Sequence, residues 1–210
     1  DEMEEYEPEF DSMLFHLPLA GSTFKKIYYD QTMGRAVSKF VPADELVVPY
    51  TATSLDDAQS IIHVIKMPEN ELRKQQVSGF YRDVDLGPPG RVETNPVVKK
   101  ERELEGTKAT GKPQPIYTLL ECHVNLDLEG FEEVGADGQP TGIKLPYIVT
   151  IDESTRTVLS IRRNYAPDDP KKNKIQYFVH FKFLPGLGFY GFGLIHMIGG
   201  LSRTATSALR

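Results

Sequence analysis

The sequence predicts a mixed α+β fold: an antiparallel β-meander in the second half, a short α/β part before it, and a C-terminal helix. Three observations predict it. Leu120, Cys122, Val124, Leu126 and Leu128 alternate with Glu121, His123, Asn125 and Asp127, the period of a strand with one buried face. Apolar runs at 146–151 and 157–163 follow, with turn signals at Asp137-Gly138 and Asp152-Glu153-Ser154. Ile175, Tyr177, Val179, Phe181 and Phe183 then alternate again, which makes four strands in sequence. Beyond them Leu194, Ile195, Ile198 and Leu201 fall at helical spacing, in a helix expected from about Tyr190 to the end.

The first half reads as smaller pieces. Residues 1–13 are acidic and predict a disordered tail. Phe24 to Tyr29 and Ala36 to Val41 read as strands around a turn at 30–34, together a hairpin. Residues 45–49 are extended, because Pro49 pushes its predecessor away from helix. Ser54 ahead of Asp56 and Asp57 predicts a short capped helix. The β-branched run 61–67 reads as a buried strand. Pro68 suits a first helical position, with Glu69 and Glu71 at the positive helix start. Leu72, Gln76 and Phe80, with Val77 and Tyr81, form its apolar stripe, and the helix ends near Arg82. Residues 91–115 are polar and predict a flexible connection.

Composition bounds the function without naming it. The 210 residues are 40% hydrophobic and 26% charged, ordinary for a globular chain with a sizeable core. With 24 basic and 30 acidic residues the formal charge is −6, the wrong sign for a protein that grips nucleic acid throughout. The one cysteine, Cys122, cannot form an intramolecular disulfide and favours synthesis in a reducing compartment. An acidic start that lacks Met, and a helix that runs to Arg210 without a stop signal, predict that both ends are cut from a longer chain. Residues 183–201 carry no acidic or basic side chain, yet Pro185 and six glycines argue for a turn and helix start over a membrane span.

No pattern predicts catalysis. His16, His63, His123, His180 and His196 show no metal-site spacing, and His123 and His180 fall on strand positions opposite the apolar faces. Gly186-x-Gly188-x-x-Gly191 matches a bare dinucleotide pattern but lacks the Lys-Ser/Thr ending of a phosphate loop. The acid pairs Asp56-Asp57, Glu132-Glu133, Asp152-Glu153 and Asp168-Asp169 sit in turns or helix starts, where carboxylates bond their own backbone. The expectation is a protein that is not an enzyme and has no metal or cofactor.

Four runs carry a resemblance: LPLAGSTFKKIYYD (17–30), FVPADELVVPY (40–50), NELRKQQVSGFY (70–81) and FLPGLGFYGFGL (183–194). Together they resemble the portal, or head-to-tail connector, proteins of short-tailed bacteriophages. The resemblance implies a homo-oligomeric ring of twelve subunits at one capsid vertex, assembled in the host cytoplasm and carried in the virion. DNA would pass through its channel in packaging and ejection without sequence-specific binding. A terminase packaging motor, tail or adaptor proteins, and capsid and scaffold proteins would be its partners, with no membrane.

In those terms residues 14–90 are wing-like, 116–183 clip-like, and 184–210 the start of a stem-like helix. Ring contacts are heterologous, and each subunit needs two complementary patches. Gly188, Phe189, Tyr190, Gly191, Phe192 and Gly193 are the candidate interface residues, glycines for close approach and aromatics for area. The alternative is a nucleotide or small-ligand binding domain that uses the turn 186–193, and a membrane-associated adaptor is the second alternative.

Overall fold

A computed structural model describes residues 3–30, 33–88, 116–135 and 137–209. Among the described residues there are three α-helices and two antiparallel sheets, as the mixed α+β expectation required. The helices are α1 (Tyr6–Ala20), α2 (Glu69–Val77) and α3 (Leu194–Ala208). The strands are β1 (Ser22–Asp30), β2 (Arg35–Pro42), β3 (Leu46–Val47), β4 (Ser60–Pro68), β5 (Ile116–Leu126), β6 (Leu145–Asp152), β7 (Val158–Arg163) and β8 (Phe178–Lys182). One sheet has the order β2-β1-β8 and the other β3-β4-β5-β6-β7. The connection expected over 91–115 lies outside the described residues.

The chain forms two compact units, and the division falls within β4, β5, β6 and β7. The first comprises Asp1–Val64, Cys122–Ile148 and Arg162–Arg210. Its centre is β1, paired on one side with β2 and on the other with β8. Phe24, Val41, Leu46, Leu55, Ile61, Phe178 and Phe189 close the core around that strand. Residues Ser22 to Lys26 of β1 are buried on both faces, two lysines included. The Lys25 ammonium lies 3.9 Å from the centre of the Tyr6 ring, and the Lys26 ammonium lies 3.4 Å from His63 Nδ1.

The second unit is Ile65–Glu121 with Val149–Ile161. Leu72, Tyr81, Leu86, Tyr117, Leu119 and Leu159 form its core. The chain after α2 is held by side chains: Gln76 donates to the carbonyls of Arg82 and Val84, and the Tyr117 hydroxyl donates to the Gly87 carbonyl at 2.7 Å. α2 ends at Val77, earlier than the sequence pattern implies, because Gly79 adopts a left-handed conformation with φ 78°. Leu72 and Gln76 are buried as expected, but Val77 is 75% exposed.

Several expectations are corrected. The disordered tail over 1–13 is instead the start of a helix over most of its length, since α1 begins at Tyr6. Its acidic side chains find partners on β2, and Met13 is buried beneath it. The short helix after Ser54 is a turn: Asp57 accepts from the backbone N–H groups of Thr53 and Ser54 and from the Thr53 hydroxyl. Those bonds, the Thr53 hydroxyl foremost, lower its carboxyl to about 2.

β4 is half-buried where a buried strand was expected. In β5 the deeper face is the opposite one: Tyr117, Leu119, Glu121 and His123 are buried, while Leu120, Cys122 and Val124 are only half-covered. β5 is the central strand of its sheet, and its face is chosen by what lies over it. His123 meets the rings of Tyr177 and Phe178 edge-on. The meander holds for β5, β6 and β7, but β8 leaves it and pairs with β1. There Phe178 and not Val179 faces inward.

Candidate functional site

The glycine-rich segment does two different jobs. Its first part is a loop closed by paired hydrogen bonds between Leu184 and Phe192. Leu187 at its far end is fully exposed, and a Cβ on Gly188 would meet nothing within 4 Å. Its second part is wedged against the turn between α1 and β1. That turn needs Gly21, whose φ of 84° caps α1 while its N–H donates to the Leu17 carbonyl. A Cβ on Gly191 would lie 2.6 Å from the Gly21 carbonyl oxygen, and one on Gly193 would lie 2.3 Å from that of Leu19. Three glycines therefore permit one close crossing of backbones within the chain.

Polar groups pin the same crossing. The Gly191 N–H donates to Ser22 Oγ at 2.7 Å, and His180 Nε2 lies 3.1 Å from that oxygen. The His180 ring packs against both Phe24 and Phe189, at 4.4 and 4.8 Å, and those two rings also touch each other, at 5.9 Å. Burial first, and the nearby Lys182 charge second, lower its pKa to about 4, which keeps it neutral at pH 7. A serine beside a neutral imidazole is the pairing that activates a nucleophile. Here Ser22 is 1% exposed, out of reach of a substrate, and the pair fastens β8 and the glycine segment to β1.

The six candidate interface residues thus separate. Phe189 is buried in its own chain's core, and Gly191 and Gly193 are spent on the crossing with Gly21. Gly188, Tyr190 and Phe192 remain exposed. Tyr190 directs its hydroxyl to the Leu46 carbonyl at 3.4 Å, and Phe192 lies edge-on to His196 at 6.0 Å.

α3 follows directly. Its first N–H is capped by His196, whose Nδ1 accepts from Gly193 N–H at 3.1 Å. No residue of α3 is buried. Ile195, Met197, Ile198 and Leu201 are 53–73% exposed, and α1, which touches α3, adds Leu14, Phe15 and Leu19 to the exposed apolar area. This is the largest run of uncovered apolar side chains on one described element. α3 had been expected from about Tyr190, but it begins at Leu194 because the crossing consumes the residues before it.

Among the described residues no group of three His, Cys, Asp or Glu side chains could hold a metal ion. Among them no helix is long and apolar enough to cross a membrane. The pairing of buried Ser22 with half-buried His180, and the buried Lys25, were missed by sequence reasoning. Their only signal was polar residues within strand runs, which reads equally as solvent exposure.

No family model matches the chain, and no curated protein matches it.

Proposed function

We propose that this chain is a structural subunit of a phage portal ring, forming the channel for DNA packaging and ejection and the docking site for the packaging motor and tail. The observation that carries the reading is α3, a helix none of whose described residues is buried and whose apolar side chains stand largely exposed. Contiguous apolar area of this kind marks a protein contact. A ring supplies cover through a heterologous neighbour, in which the helix of one subunit meets a different face of the next. The four sequence runs quoted above support the same reading, and two of them bracket the α1–β1 turn and the glycine segment that cross in the fold. The acidic charge suits a channel through which DNA must slide.

The nucleotide-binding alternative needs free backbone N–H groups in the glycine-rich turn. Those of Gly191, Phe192 and Gly193 already donate to Ser22, Leu184 and His196, so a phosphate would have to displace three bonds. Negative-stain microscopy of the full-length protein tests the proposal. Closed rings with a central channel are expected, and particles of single-subunit size at every concentration would overturn it.

A further inference from the structure

β2 is an edge strand, and edge strands expose a row of unpaired N–H groups to any other strand. Ser38 faces Ile27 across the β1–β2 pair, and the Ile27 N–H points the other way, to the Tyr177 carbonyl at 2.8 Å. Ile27 and Ser38 are therefore a non-hydrogen-bonded pair, in which both residues turn their N–H groups away from each other. The N–H groups of Ser38 and, two residues on, Phe40 therefore face outward from the sheet. Both are occupied by carboxylates. Glu5 Oε1 accepts from Ser38 N–H at 3.4 Å, and Glu9 Oε2 accepts from Phe40 N–H at 2.6 Å.

The spacing explains why a helix can do this. Residues four apart on a helix lie about 6 Å apart along its axis. Residues two apart on a strand lie about 6.7 Å apart. Glu5 and Glu9 thus stand where a neighbouring strand would put its carbonyl oxygens. We propose that α1 is an acid-releasable guard of the β2 edge, in which two carboxylates imitate a neighbouring strand and withdraw when they are protonated.

The way α1 is held supports release. Met13 is its one buried residue among those described. The other ties are polar: Glu5 pairs with Arg35 at 2.5 Å, and the Lys25 ammonium rests on the Tyr6 and Phe10 rings. α1 itself also carries Glu7, Asp11 and His16, whose ring lies 5.1 Å from that of Phe40. Protonation in acid removes the two anions that face Arg35 and Lys25. The Glu5 backbone N–H first, then Arg35 and Ser38, hold the Glu5 carboxyl below its ordinary value. That stabilisation is present above the ordinary carboxylate range and is lost as pH falls through the lowered value.

Amide hydrogen exchange in the intact protein tests this, with protection corrected for the intrinsic rate at each pH. At pH 7, Glu5→Ala with Glu9→Ala should lower protection at Ser38 and Phe40 about tenfold or more, the worth of a bond to a charged acceptor, and leave Ile27 protected. Glu9→Ala alone, which keeps the Glu5–Arg35 pair, should expose Phe40 and spare Ser38. In the unaltered protein the selective loss should appear on moving from pH 7 to well below the ordinary carboxylate range, about pH 2.5. Unchanged protection in the variants would overturn the proposal. So would loss at Ile27 in step with Ser38, since the whole sheet would then be opening. Full protection of Ser38 and Phe40 at about pH 2.5 would overturn it as well.

Discussion

His180 Nε2 lies 3.1 Å from Ser22 Oγ, while the imidazole packs against the rings of Phe24 and Phe189. One ring therefore joins the polar fastening of β1 to the apolar core, and it does so in its neutral form. Its pKa is lowered from 6.5 to about 4. The unfolded chain binds the proton more readily, so stability is full above pH 6.5 and falls as pH drops toward 4. The loss should be about 1–2 kcal/mol after allowance for the screening of a partly buried group. Urea unfolding at pH 7 and pH 5 checks this. His180→Asn should lose less stability over that interval than the unaltered protein, and an equal loss in both would contradict it.

The close crossing of backbones makes a second prediction. Gly193→Ala places a methyl group 2.3 Å from the Leu19 carbonyl oxygen, where only backbone movement can make room. It should destabilise the monomer by about 3 kcal/mol or more. Gly188→Ala meets nothing within 4 Å and should change stability by less than about 0.5 kcal/mol. Thermal unfolding of both variants checks the contrast, and similar melting temperatures would remove the crossing from the account.

Gln76 carries a third. Its buried amide donates to two carbonyls, at 3.3 Å for Arg82 and 2.9 Å for Val84. Gln76→Met keeps the bulk and removes the donors, leaving two acceptors without them. The cost should be about 1–3 kcal/mol in a urea midpoint. An unchanged midpoint would show that water replaces the amide without penalty.

The hairpin of β1 and β2 was legible because its signals are local: two apolar runs and a turn. The faces of β5 and β8 were not. Alternation shows that a strand has two unlike faces, but the side that is covered is decided by partners far along the chain, Tyr177 and Phe178 for His123 and Phe24 for His180. α1 was hidden for a related reason. An acidic stretch reads as solvated until partners exist, and Ser38 and Phe40 on β2 are those partners. In the glycine segment the sequence showed that backbones approach closely. It could not show that the approaching backbone is Gly21 of the same chain.

The central claim is that α3 is covered by a neighbouring subunit. Leu201 is 73% and Ile198 55% exposed, so aspartate at both should leave the monomer's fold intact. Light scattering of the full-length protein carrying Ile198→Asp and Leu201→Asp, with circular dichroism as the check on folding, is the direct measurement. The account predicts ring-sized mass for the unaltered protein and monomer mass for the variant, with unchanged spectra. Rings of the same mass in the variant would contradict it.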